Sequence, residues 1–202
     1  MVIWVNYPGG IKKGPKKVEN YGNRGMNLED DINITNQFYL DSNIAIIYKK
    51  PTPITINKVD YKSRCDAVIT EAHFKVPSTT DYNGIYNGKY IDFEAKETRS
   101  LTSFPLNNIH KHQILHLKRI YEHGGIGFII VRFTRLNKTY LLYIKDLLNF
   151  IDNEKRVSIP IAYFEKYGYI IEEKYSPRID YLKIIEKKEF KDEKEKECCQ
   201  EI

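Results

Sequence analysis

At 202 residues, with 42% hydrophobic and 13% aromatic side chains, the chain is long enough for one α/β domain with its own core and too apolar to be disordered. No apolar run reaches the length of a membrane span, and the opening Met-Val-Ile-Trp-Val is too short for the core of a signal peptide. The net charge of +5, from 32 Lys and Arg against 27 Asp and Glu, is a mild basic bias that suits nucleic acid without demonstrating it.

Residues 1–22 form a Gly/Pro/Lys stretch without periodicity and read as a flexible basic arm. Lys12, Lys13, Lys16 and Lys17, with Arg24 just beyond, are candidate phosphate contacts. The plainer reading, a terminus with incidental lysines, fits the composition equally well. Asn27 can cap a helix whose Leu28, Ile32, Thr35 and Tyr39 follow helical spacing. Glu29 and Asp30 fall in its first turn, where the helix dipole favours acids, so Glu29 is read first as dipole complement.

Ile44 to Tyr48 predicts a buried strand. Two extended runs follow over residues 50–77, one through Ile54, Ile56 and, after a change of phase, Val59, the other from Ala67 to Lys75. Lys58, Lys62, Arg64 and Lys75 line them, so a projecting basic ribbon is expected. Phe74 is assigned equally to base stacking, with His73, and to the core.

Asn87-Gly88 is the preferred pair for a two-residue type I′ hairpin turn, because both positions need positive φ. If these two residues form the loop, Tyr86 faces Lys89, Asp81 faces Glu94 and Thr79 faces Lys96. Facing residues share one side of a sheet with Cβ atoms roughly 5 Å apart, and Glu94 and Lys96, two apart, share that side too. Ile91, Phe93 and Ala95 point the other way, into a core. Two carboxylates directly opposite each other repel. The arrangement makes sense if a divalent cation, Mg²⁺ by its preference for carboxylate and phosphate oxygens, lies between them. Such a cation would activate water and polarise a phosphoryl oxygen, with Lys96 stabilising the developing charge. A solvated hairpin with Asp81 neutralised by Lys96 or Lys89 is the competing reading.

A helix is predicted from about Asn107 to His123, stopped by Gly124-Gly125, with Ile109, Gln113, Leu117 and Ile120 on one stripe. Gln113 on an apolar stripe needs a partner if buried. His112 and His116 are four apart, as zinc ligands can be, but no third ligand is evident and a solvated or DNA-facing edge is the expected reading. Ile126 to Phe133 reads as a central strand and Thr139 to Ile144 as its neighbour, turned at Asn137-Lys138. Helices follow near Lys145–Ile151 and Ile161–Tyr167. Beyond Ile185 lies a charged tail, residues 186–202. Cys65, Cys198 and Cys199 lack metal spacing and suit a reduced, cytoplasmic chain.

Asp81 followed by Glu94-Ala95-Lys96 resembles the site of the PD-(D/E)XK nuclease superfamily. The wording around it is more specific. Gly22-Asn23-Arg24-Gly25-Met26, Lys49-Lys50-Pro51-Thr52-Pro53, Pro77-Ser78-Thr79-Thr80-Asp81-Tyr82-Asn83-Gly84, Tyr90-Ile91-Asp92-Phe93-Glu94-Ala95-Lys96-Glu97-Thr98 and Ser176-Pro177-Arg178-Ile179-Asp180-Tyr181 resemble the RecU-type Holliday junction resolvases. The resemblance spans roughly residues 20 to 182, and Thr80 before Asp81, where the wider superfamily has Pro, is the form this type shows. It implies a restriction-endonuclease-like α/β fold over residues 23–185, a mixed sheet flanked by helices, with residues 50–77 as a protruding stalk that enters the four-way junction. It implies an Mg²⁺-dependent endonuclease with Asp81, Glu94 and Lys96 catalytic, with Thr79, Asp81, Glu94 and Gln113 around the metal, and with Glu29, second to its dipole role, as an accessory acid. It also implies a homodimer making paired nicks in recombination and repair, in contact with recombinase and branch-migration machinery. Two alternatives stay open: a related nuclease acting on linear duplex, and a non-catalytic module that binds branched DNA or modulates a recombinase.

Overall fold

The computed structural model describes residues 27–60, 67–74 and 79–191. Helix α1 (Leu28–Asp41) begins where the sequence places it: the Asn27 side chain accepts the Asp30 N–H at 2.8 Å, and Leu28, Ile32 and Tyr39 are buried. Strand β1 (Ile46–Lys49) follows, then β2 (Ile54–Asp60) and β3 (Val68–Phe74), β4 (Tyr82–Tyr86), β5 (Lys89–Thr98) and β6 (Ser103–Pro105). A 3₁₀ turn (Leu106–Asn108) leads to α2 (Lys111–Glu122), β7 (Ile126–Phe133), β8 (Lys138–Tyr143) and α3 (Ile144–Asn153). The chain continues through β9 (Ser158–Pro160), α4 (Ile161–Tyr167), β10 (Tyr169–Ile171) and α5 (Leu182–Ile185), and then a π-helical turn (Glu186–Lys191).

The main sheet is mixed, six strands in the order β1-β4-β5-β7-β8-β10, with β5 and β7 parallel and every other pair antiparallel. One face carries Ile91, Phe93, Phe128 and Ile130 under α1 and Tyr181, with Phe93 stacked between Tyr82 and Phe128 at ring separations of 4.9 and 4.7 Å. The other carries Ile129, Val131, Phe133 and Leu142 under α2, α3 and α4. All eight residues of β7 are buried, as expected of a central strand covered on both faces. Arg132 within it is the exception in kind. Its guanidinium lies 2.7 Å from buried Asp31 of α1 and 2.9 Å from Glu173, and its Nε donates to Thr139 at 3.1 Å. Arg178 also pairs with Asp31, so one acid and two arginines tie α1 to the sheet and to the closing segment.

Two expectations are revised. The strand predicted buried over Ile44–Tyr48 is an edge strand in which only Ile47 is buried, because the sheet ends there. The helix predicted from Asn107 starts at Lys111, since residues 106–108 form a 3₁₀ turn and His110 takes the capping position. Residues 186–191, at the start of the charged tail, form a helical turn whose Phe190 packs edge-on against Tyr86, 5.6 Å between rings.

The two basic runs pair only with each other, as a separate two-stranded ribbon. The change of phase appears as register shifts between Ile56 and Lys58 and between Lys58 and Val59. Phe74 is 81% exposed, which removes it from the core. Lys58 is described and exposed on β2. Lys12, Lys13, Lys16, Lys17, Arg24, Lys62, Arg64 and Lys75, and all three cysteines, lie outside the described residues.

Gly84 lets β1 approach β4. A Cβ there would stand 2.1 Å from the Ile46 carbonyl oxygen and 2.6 Å from the Ile47 Cα, both backbone atoms that cannot swing aside. Gly84→Ala is therefore expected to destabilise the protein by about 1–3 kcal/mol, as over-packing does, and urea unfolding checks it against wild type.

Candidate active site

The site is built by the β4–β5 hairpin. Asn87 and Gly88 have φ of 45° and 76°, both positive, as the type I′ turn demands. The register runs without a bulge from Tyr86↔Lys89 through Gly84↔Ile91 to Tyr82↔Phe93. Asp81 sits one residue past the last of these pairs, on the side facing Glu94, and its carboxylate accepts the Ala95 N–H at 3.2 Å. Tyr90, Asp92, Glu94 and Lys96 alternate onto the sheet face that α2 covers, while Ile91 and Phe93 enter the opposite core.

Glu94 is fully buried. Its Oε1 accepts from Gln113 Nε2 at 2.7 Å and from the Lys96 ammonium. Its Oε2 is buried with no hydrogen-bond partner. Burial, reinforced by the Asp81 charge and opposed by Lys96, pushes the Glu94 carboxyl up to about 7. Lys96 Nζ also lies 4.0 Å from Asp81 Oδ2. Asp81 is partly open to solvent and lines, with Glu29, Lys96, Glu97 and the start of α1, a cleft of about 330 Å³. Among the described residues no group of three or more His, Cys, Asp or Glu side chains is arranged to hold a metal ion by itself. The two carboxylates nevertheless suit a hard divalent cation. One oxygen of Glu94 is desolvated and unpaired, the neighbouring acid is accessible, and the donors are the oxygens such an ion prefers.

Gln113 resolves its sequence-level conflict by holding Glu94 on one side and accepting the His110 N–H at 2.9 Å on the other. Thr79 is exposed, and its hydroxyl accepts from Lys50 Nζ at 3.1 Å. Glu29 shares the cleft with Asp81 and forms an ion pair with Lys49. His112 is exposed and stacks on His110, whereas His116 turns inward to Asp92 at 3.1 Å, so the two do not grip one ion.

Sequence reasoning missed a second buried carboxylate beside the first. Asp92, two residues before Glu94 and fully buried, meets Lys50 Nζ at 2.6 Å, Tyr90 Oη at 3.0 Å, His116 Nε2 at 3.1 Å and the Thr80 hydroxyl. The available signal was alternation: an acid two residues from Glu94 must share its buried face.

Among the described residues no helix is long and apolar enough to cross a membrane. The family model described as "RecU: Recombination protein U" matches residues 23–187. A Holliday junction resolvase RecU of Geobacillus sp. (strain WCH70) is 52% identical over 195 residues, 91% of this chain and 97% of that one. The protein of the same name from Bacillus cytotoxicus is 50% identical over 193 residues, 90% of this chain and 96% of that one. Among solved structures, Archaeoglobus fulgidus Hjc, a Holliday junction resolvase from an archaeal hyperthermophile, overlays with a TM-score of 0.32 and 14% identity over 45% of this chain and 69% of that chain, a likeness too loose to build on. Half the residues agree with these bacterial relatives from end to end of the domain that carries the hairpin, and the chain belongs to the RecU family.

Proposed function

We propose that this chain is a Holliday junction resolvase, a structure-selective endonuclease that works in DNA recombination and repair and hydrolyses phosphodiesters with Mg²⁺ as cofactor. What carries the chemical reading is the Glu94 carboxylate: buried, with one oxygen lacking any partner, beside an accessible Asp81 and a cationic Lys96. A stable salt-bridged decoration would not leave that oxygen bare, because an unsatisfied buried carboxylate oxygen is costly.

Asp81 and Glu94 would hold the Mg²⁺; the resemblance adds Thr79 and Gln113 to the shell, and in this fold the Gln113 amide nitrogen meets Glu94 while its oxygen accepts the His110 N–H. When bound, the ion supplies a Lewis acid that lowers the pKa of water and offsets phosphate charge. Lys96 donates to a non-bridging phosphate oxygen as negative charge builds on the pentacovalent phosphorus, and its charge partly offsets the burial that raises the Glu94 carboxyl. Gln113 fixes the Glu94 rotamer, and the Ala95 N–H does the same for Asp81. In the reaction a P–O bond forms to water, the P–O bond to one sugar breaks, and a proton ends on the leaving oxygen. A four-way junction exchanges two equivalent strands, so paired nicks call for a two-fold homodimer with its two sites opposed. The ribbon enters the junction centre, and Phe74 is free of the core to stack on bases there.

Incubating the protein with a mobile four-way junction and a matched linear duplex tests the reading. Paired nicks are expected on the junction alone and only with Mg²⁺. Asp81→Asn is expected to keep binding while cleavage falls on the order of 10²–10³-fold. Equal cutting of the duplex points to a different nuclease, and binding without cutting by wild type points to a non-catalytic module.

The Glu94 carboxyl is raised from 4.5 to about 7 in the folded protein, so its protonated form is the one the fold prefers. Its contribution to stability is fully present below about pH 4.5 and is lost as pH rises through about 7. Thermal unfolding in EDTA should therefore show this component of stability falling between pH 5 and 8, in roughly the window those values define. Glu94→Gln should flatten it. Proton and metal compete for the same oxygens, so the Mg²⁺ needed for half-maximal cleavage should rise as pH falls below about 7.

Phe74→Ala should leave the unfolding midpoint unchanged, because the ring touches no core. Junction affinity should fall by roughly the 1–3 kcal/mol that one base stack is worth, as read by gel shift in Ca²⁺.

A further inference from the structure

Both roots of the ribbon converge on one buried carboxylate. The chain leaves the main sheet at Lys50, whose N–H donates to the Asp81 carbonyl at 2.8 Å and so carries the β1–β4 pairing one step past the strands. It returns at Thr79 and Thr80. The Lys50 side chain runs inward, and its ammonium donates to Thr80 Oγ1 at 2.6 Å, Thr79 Oγ1 at 3.1 Å and Asp92 Oδ2 at 2.6 Å. Thr80, also buried, donates its own hydroxyl hydrogen bond to Asp92 Oδ1. Asp92 completes its shell with Tyr90 Oη and His116 Nε2, and Tyr90 Oη in turn accepts from Asn83 Nδ2 at 3.0 Å.

Apart from Thr79, none of these groups has a part in the proposed chemistry, yet they surround the residue that needs support. Asp81 lies one residue past the last β4–β5 pair, directly after Thr80, and its side chain meets the Ala95 N–H at 3.2 Å and, more loosely, the Lys96 ammonium at 4.0 Å. Asp92 and Glu94 project from one rigid strand onto one face, so an anchor from Thr80 to Asp92 fixes Asp81 in the frame that carries Glu94. A charged pair this deep costs desolvation that hydrophobic residues would avoid, which suits a device kept for geometry.

We propose that Lys50, Thr80 and Asp92 are positioning residues that set Asp81 against Glu94 and tie that placement to the two roots of the ribbon. This rests on the reading of Asp81 and Glu94 as the Mg²⁺ ligands.

The Ala95 amide reports the position of Asp81 without metal or DNA, since its hydrogen goes to the Asp81 carboxylate. Lys50→Met strands Asp92 in the interior and can unfold the protein, so the decisive pair is Thr80→Val, which deletes the hydroxyl at constant volume, and Thr80→Ser, which keeps it. In Thr80→Val, amide exchange at Ala95 measured by NMR in the full chain should speed at least roughly tenfold, with Phe128 in the core unchanged. The Mg²⁺ concentration for half-maximal thermal stabilisation, titrated with the metal alone, and for half-maximal junction cleavage should rise on the order of 10-fold, as when an outer hydrogen bond to a metal site is cut. Thr80→Ser should stay near wild type in all three. Val equal to wild type, or Ser impaired as much as Val, overturns the positioning role, the second because it would make the methyl the important group. If wild type itself neither cleaves nor responds to Mg²⁺, the functional reading fails, and Ala95 exchange still decides the clamp.

Discussion

The register of one hairpin governs everything the site can do. Because side chains alternate across a strand, a slip of one residue between β4 and β5 would send Glu94 and Lys96 into the aromatic core and turn Phe93 outward. Two devices resist that slip. The positive φ angles at Asn87 and Gly88 pin the loop to two residues. The stack of Tyr82, Phe93 and Phe128 rewards one register only, since it places three rings in line across three strands. The polar face is thus held in place by packing on the opposite face.

Two buried carboxylates on that polar face have opposite fates. Asp92 is met by an ammonium, two hydroxyls and an imidazole, which leaves it no capacity for a further ligand. Glu94 receives an amide and an ammonium on one oxygen and nothing on the other. The same strand, the same burial and the same functional group give an inert anchor in one case and a raised, coordinatively open carboxyl in the other. The difference lies in the donors that Lys50 and the α2 helix bring, so what sets Glu94 apart is what its neighbours withhold.

Much of this was legible in local sequence, where the deciding physics is local. Asn87-Gly88 announces its turn, Asn27 its helix, and the phase change between Ile56 and Val59 its register shift. What stayed hidden depends on partners distant in the chain. Arg132 looked like an interruption in an apolar run until Asp31, about a hundred positions earlier, arrived beside it. Lys50 looked like half of a basic doublet, and only the fold shows that Lys49 goes to Glu29 while Lys50 goes inward to Asp92. The edge position of β1 likewise follows from strand order, which hydrophobicity along Ile44–Tyr48 does not encode.

Nothing in the carboxylate patch distinguishes a junction from a duplex: it would meet any phosphodiester brought to it. Under the proposed function, selectivity therefore has to come from the element that decides which phosphate arrives. The ribbon is the candidate with the right mechanics. A two-stranded hairpin is marginal alone in water, and this one leaves Ile54, Ile56, Val68, Ile69 and Phe74 exposed, with no helix among the described residues beneath them. Its stiffness must come from its roots and from whatever covers it. The roots meet at Lys50 and Thr80, one residue from Asp81, so under the proposed function the lever that would sense branched DNA and the carboxylate that would act on it share a fulcrum. On this view recognition and chemistry are separate in surface but joined in backbone, and a ribbon that cannot seat leaves Asp81 less well placed against Glu94.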